Sequence, residues 1–179
     1  MKHLLVTVIT IIFMTKISKA QTFSLYSKDL GGQITTKQLG NGMGCTGDNI
    51  SPELHWENAP KETKAFAISI YDMDAPTGSG FWHWSVFNIP SDVTALKSDA
   101  GNFSGRNLPQ GALHGNNDAG APGYVGPCPP AGETHRYIIT VTALAAPVAV
   151  DKNASPALTN MILNMNALAK ASLLVYGKR

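Results

Sequence analysis

Ala65-Phe66-Ala67-Ile68-Ser69-Ile70-Tyr71-Asp72-Met73-Asp74-Ala75-Pro76 is the stretch on which the fold class turns. Phe66, Ile68 and Ile70 fall on one face of an extended chain, the period-two pattern of a half-buried strand. The run ends on two acids one residue apart, followed by the glycine-rich turn Thr77-Gly78-Ser79-Gly80. Residues two apart in an extended segment point to the same side, so Asp72 and Asp74 are expected to face one pocket. Taken alone, such a pair is more often a solvated turn whose carboxylates accept backbone N–H groups.

The same periodicity recurs outward from this stretch. Phe23-Ser24-Leu25-Tyr26 alternates, and Trp84 to Ile89 is aromatic and β-branched and stops at Pro90. Tyr137 to Leu144 is the strongest strand candidate, and Leu173 to Tyr176 a last short one. One segment reads as helix: Ser155 caps it, Pro156 takes the first position, and Leu158, Met161, Ile162, Met165, Leu168 and Ala169 keep helical spacing to about Ala171. Its methionines read as core filler. Residues 97–136 hold little regular pattern, and loops that long in a compact domain are usually functional or disordered. Glycine and proline between Gly123 and Pro130 make this one stiff, which argues against disorder. Many strands, one late helix and long loops imply a mainly β domain, a β-sandwich or barrel, over residues 21–179.

Residues 1–20 read as a secretory signal peptide rather than part of the fold. Lys2 and His3 precede an apolar run from Leu4 to Met14, and Ser18-Lys19-Ala20 supplies a small-residue cleavage site before Gln21. No later stretch approaches the roughly eighteen apolar residues of a spanning helix. The expected location is therefore periplasmic or secreted. The whole chain carries 14 basic and 12 acidic groups, but Lys2, Lys16 and Lys19 leave with the leader. A near-neutral remainder without a basic cluster excludes nucleic acid as an expected partner. Cys45 and Cys128 are either a disulfide, as export to an oxidising compartment permits, or two buried thiols.

Two histidines share the strand-edge placing of the acids. His83 lies in Phe81-Trp82-His83-Trp84, and His135 opens Arg136-Tyr137 at the start of the strongest strand. A lone histidine in either setting is usually structural. Two of them beside an acid pair are a candidate shared site for proton transfer or anion capture. His55 is expected on the outer face of a short strand, and His114 in a loop without a partner. The nucleophile elbow, the zinc-helix pattern, Cys-x-x-Cys and the phosphate-loop glycine patterns are all absent, and neither metal nor cofactor is expected.

Longer motifs carry more. Gly44-Cys45-Thr46-Gly47-Asp48-Asn49-Ile50-Ser51-Pro52, Asp72-x-Asp74-Ala75-Pro76-Thr77, His83-Trp84, Asn88-Ile89-Pro90, Gly123-Tyr124-x-Gly126-Pro127-Cys128-Pro129-Pro130 and Gly132-x-x-His135-Arg136-Tyr137 together resemble the phosphatidylethanolamine-binding protein family, in its bacterial YbhB/YbcL-like branch. The resemblance implies a β-sandwich with a small surface cavity for phosphate-like anions and phospholipid head groups. Its position-by-position implication is a ligand site of Asp72, Asp74, Ala75, Pro76, His83, Tyr124, Gly126, His135 and Tyr137. It also implies pairing of Cys128 with Cys45, since the bacterial branch tends to carry cysteine there. Met73 stands where the family usually has proline, whose ring would fix the backbone.

The expected function is an exported, non-catalytic protein for a small phosphorylated or anionic ligand. The alternatives are an Asp/His hydrolase, or an inhibitor acting on a kinase, protease or host protein. In the binding reading each carboxylate holds one imidazole protonated, while tyrosine hydroxyls and backbone N–H groups near Gly126 meet the ligand. Binding is then expected to weaken above about pH 7.

Overall fold

Strand β3, Ala65–Asp72, sits at the centre of the larger of two antiparallel sheets in the computed structural model, which describes residues 21–179. The expected leader lies outside the described residues. Around β3 the chain order is β1 (Ser24–Tyr26), β2 (Leu54–Glu57), β4 (Phe81–Pro90), β5 (Ala95–Leu96), β6 (Leu113–His114), β7 (Thr134–Leu144), α1 (Pro156–Met165) and β8 (Ala167–Lys178). The sheets run β1-β2-β5 and β6-β4-β3-β7-β8, so the expected mainly β architecture with one late helix is what the chain forms.

The alternation in β3 does what its pattern demands. Phe66, Ile68 and Ile70 are buried and pack with Trp84, Val86, Ile139 and Val141 of the neighbouring strands. Leu25, Leu54, Trp56 and Leu96 of the small sheet close over them to form the sandwich core. The opposite face of the large sheet is covered at one end only. There Ala65, Ala67, Phe87 and Leu144 pack under Val148 and Leu163, the latter from α1.

Two expectations about the late segment are corrected. The helix ends at Met165, with Asn166 as its cap, rather than near Ala171. Leu168 and Ala169 belong to β8, which pairs with β7 from Thr134↔Lys178 to Leu144↔Ala167. Ladder pairing with the strongest strand overrides the local helical spacing, as tertiary context commonly does. The buried face of α1 is also not the methionine face. Pro156, Thr159, Asn160 and Leu163 face inward, while Leu158, Met161 and Met165 are exposed. Ser155 does cap the helix, accepting the Leu158 N–H at 3.2 Å. Leu163→Ala should therefore cost about 2–4 kcal/mol, and Met161→Ala or Met165→Ala less than about 0.5 kcal/mol. Urea unfolding of the three variants checks this; equal losses would restore the methionines to the core.

His114 is a further correction. It forms β6 against Val86 of β4 rather than standing free in a loop. Its Nδ1 accepts the Trp84 indole N–H at 3.2 Å, and its Nε2 donates to the Asn102 carbonyl at 3.0 Å. Burial holds its pKa below the ordinary imidazole value, against the opposing pull of that carbonyl. It is a part-buried, neutral group with both ring nitrogens satisfied. His55 is half-buried on β2, with Nδ1 2.9 Å from the Glu53 carboxylate.

One irregularity positions the site. Between β3 and β4 the register jumps from Ile70↔Trp84 to Tyr71↔Trp82, leaving His83 as the extra residue. The bulge breaks the alternation, so that His83 and Trp84 are both buried. Among the described residues no helix is long and apolar enough to cross a membrane.

Candidate functional site

Asp72 ends β3, His83 sits in the β4 bulge, and His135 is the second residue of β7. Their strands are neighbours, so the three side chains meet at one end of the large sheet. His135 Nδ1 lies 2.7 Å from Asp72 Oδ2, and His83 Nε2 lies 4.0 Å from the same oxygen. The other carboxylate oxygen accepts the Asp74 N–H at 2.9 Å. All three residues are more than nine-tenths buried.

The proton positions follow from the partners. The Val125 carbonyl can only accept, so His83 Nδ1, 2.7 Å away, donates to it. His83 Nε2 is left without a partner at hydrogen-bond distance among the described residues. Asp72 likewise holds the proton on His135 Nδ1, and His135 Nε2 is 3.4 Å from the exposed Glu133 carboxylate. Burial pulls the His135 pKa down, but the Asp72 and Glu133 carboxylates outweigh it and hold the imidazole above its ordinary value. Burial would raise the Asp72 carboxyl, yet the His83 and His135 imidazoles and the Asp74 N–H keep it below the ordinary carboxylate value. The result is a buried Asp72⁻–His135⁺ pair with a second imidazole alongside.

These groups form the polar end of a surface cavity of about 240 Å³. Its other walls are mostly apolar: Met43, Phe81, Val125 and Pro130, with Ala75 and Pro76 from the turn after β3. That volume lies below the range typical of drug-sized ligands and suits a small head group. Glycine is required beside it. A Cβ on Gly126 would come 2.5 Å from the Gly40 nitrogen, so the two loop backbones could not lie together.

Six of the nine expected residues line this cavity: Asp72, Ala75, Pro76, His83, Gly126 and His135. Three do not. Asp74 faces away from Asp72 and takes Arg136 in a fork, with Nε at 2.9 Å and a terminal nitrogen at 2.6 Å. Arg136 lowers the Asp74 carboxyl to about 2. The chain bends after Asp72, so the two acids are not in one extended segment and the same-side expectation fails. Tyr124 is buried in the loop packing, its hydroxyl donating to the Gln38 carbonyl at 2.7 Å. Tyr137 lies fully buried beside both imidazoles, with ring centres 5.5 Å from His83 and 6.4 Å from His135. Burial raises both phenols, which stay neutral.

The expected backbone donors are corrected too. The Gly126 N–H is taken by Asn49 Oδ1 at 2.6 Å, and the Val125 N–H by the His83 carbonyl at 2.9 Å. Met73 uses its N–H on the Arg136 carbonyl at 3.0 Å, a bond that proline could not make. Sequence reasoning missed Met43, Phe81, Val125, Pro130 and Glu133. Only Phe81 and Glu133 had a signal, as near neighbours of the two histidines.

Cys45 and Cys128 form a disulfide, with Cα atoms 5.8 Å apart. Cys128 belongs to the cavity rim, and Met43, two residues before Cys45, lies beside it.

A family profile for phosphatidylethanolamine-binding protein matches residues 27–177. The UPF0098 protein YbcL of Escherichia coli (strain K12) is 45% identical over 177 residues, covering 97% of this chain and 96% of its own. The UPF0098 protein YbhB of the same organism is 46% identical over 152 residues, covering 83% and 96%. The crystal structure of E. coli YbcL, described as a new member of the mammalian PEBP family, matches with a TM-score of 0.85, covering 88% of this chain and 98% of that one. A Chlamydia trachomatis homologue of phosphatidylethanolamine-binding protein matches with a TM-score of 0.73 at 26% identity, covering 88% and 97%.

Proposed function

This chain belongs to the phosphatidylethanolamine-binding protein family, and from that premise we propose that it is an exported binding protein whose cavity takes a small phosphate-type anion, such as a phospholipid head group, without turning it over. The carrying observation is a single buried carboxylate shared by two imidazoles at the floor of a small, otherwise apolar cavity. The ligand's negative end meets the His135 Nε2–H, a ligand O–H or N–H donates to the bare His83 Nε2, and the carbon-bearing part lies against Phe81, Val125 and Pro76. The charges of Asp72 and His135 cancel, so recognition rests on hydrogen-bond geometry more than on net charge, which favours selectivity over tightness. Export is supported by the leader pattern and by the disulfide.

The chemistry sets a direction with pH. While His135 is protonated, its Nε2 is a donor. When it loses a proton, Asp72 retains the one on Nδ1, and Nε2 turns a lone pair toward the anion. Sulfate is the right probe because its charge is constant over the range. Calorimetric titration should give at least tenfold weaker sulfate binding at pH 8.5 than at pH 5.5. Glu133→Gln should tighten binding several-fold at pH 5.5, by removing the carboxylate that sits at the same nitrogen. Equal affinity at the two pH values would sink the imidazole role.

A further inference from the structure

The outer face of the large sheet is covered by α1 at one end only, and the rest is open. The register places two kinds of row on that open part. Ser69, Thr140 and Ser172 lie side by side on β3, β7 and β8, and the row runs on into Ser85 of β4, which is buried under Asn160 of α1. One step along, Trp82, Tyr71, Ile138 and Leu174 form a parallel row. The Tyr71 and Trp82 rings are in contact, with centres 4.4 Å apart. A hydroxyl row thus runs beside an aromatic and aliphatic row, about 7 Å away along the strands.

Helix α1 makes this surface a groove of about 230 Å³. Two of its walls are buried polar groups with unused capacity. Thr142 is 6% exposed, and its hydroxyl makes no hydrogen bond among the described residues. Asn160 is 7% exposed; its amide N–H groups go to Ser85 Oγ and the Pro156 carbonyl, and its carbonyl oxygen is left unpartnered among the described residues. Lys170 is the one charged residue in the lining.

We propose that this groove is a saccharide-binding site, separate from the anion cavity. A pyranose presents an apolar C–H face and a rim of hydroxyls, which is the complement of an aromatic row beside a hydroxyl row. A protein partner fits less well, because serine and lysine are depleted in the cores of protein interfaces. A phosphate ligand, carrying close to two charges, would find a single ammonium. The lone Lys170 favours a carboxylate-bearing sugar over a neutral one.

Trp82 provides the readout. Trp56 and Trp84 are buried in the core, whereas Trp82 is half-buried on the groove side. Titration with cellotetraose, chitotetraose and tetragalacturonate should change tryptophan emission for at least one probe, tetragalacturonate most strongly. Trp82→Ala should weaken binding at least tenfold. Ser172→Trp, a filling change at an exposed position, should abolish it while leaving sulfate binding intact. Saturating sulfate should leave saccharide affinity unchanged. No response to any of the three probes, binding that survives Ser172→Trp, or displacement by sulfate would each overturn the proposal. None of these results bears on the anion cavity, whose own test is the sulfate titration.

Discussion

Asp72→Asn should destabilise the protein by about 2–3 kcal/mol near pH 6 and weaken sulfate binding more than tenfold. The asparagine keeps the shape but loses the charge, and it has one acceptor where the carboxylate had two. Asp72 now accepts from His135 Nδ1 and from the Asp74 N–H. In the variant one of those donors faces an NH₂ group in a buried place, and charge-assisted bonds of this kind contribute about 1.5–3 kcal/mol each. The His135 proton also loses its partner, so its Nε2 ceases to be a donor at lower pH.

The pH window of this loss follows from the two titrations. His135 has a raised pKa in the folded state, so its share of stability is present below the unfolded value of about 6.5 and vanishes as pH rises through the folded one. Asp72 has a lowered pKa, so its share is present above the unfolded value of about 3.9 and vanishes as pH falls through the folded one. Both describe one interaction, at full strength between about pH 4 and 6.5. Urea unfolding of wild type and variant should show the largest difference there and a smaller one at pH 9. A difference independent of pH would mean that no ion pair exists.

What could be read from the sequence depended on whether the signal was local. The alternation of Phe66, Ile68 and Ile70 fixed the central strand, because burial on one face is written into consecutive residues. The meeting of Asp72, His83 and His135 was legible only as strand-end placing plus resemblance; the pairing β4-β3-β7 made it real. Asp74 was misplaced because its partner Arg136 arrives from β7, sixty-two residues away. Leu168 to Ala171 was misread because α1 and β8 are separated by a single residue, Asn166, and the alanines there satisfy either period. Tyr124 and Gly126 were recognised as special for the right loop, but both serve its packing, through the Gln38 carbonyl and Asn49. The apolar walls at Met43, Val125 and Pro130 come from loops distant in sequence, and no pattern within one loop could announce them.

Breaking the disulfide should separate stability from binding. Cys45 and Cys128 are 83 residues apart, and closing a loop of that size stabilises by about 4.5 kcal/mol in the chain-entropy model. For a domain of this size that corresponds to a fall in Tm of roughly 10 °C or more. The Cys45→Ala/Cys128→Ala variant, and the wild type under reductant, should both show it by calorimetry. The loops it joins are not free once it is gone. The Gly40 N–H still donates to the Pro127 carbonyl at 2.8 Å, and Gly47 to Gly40 at 2.8 Å. The rim at Met43 and Cys128 loosens, while Asp72, His83 and His135 remain on β3, β4 and β7, to which the crosslink contributes nothing. Sulfate affinity at pH 5.5 and 25 °C should therefore stay within about threefold of wild type, equivalent to less than 1 kcal/mol. A Tm change under about 3 °C would show that the unfolded chain gains little freedom on reduction. Loss of sulfate binding in a variant still folded at 25 °C would move the recognition chemistry from the strand ends to the rim.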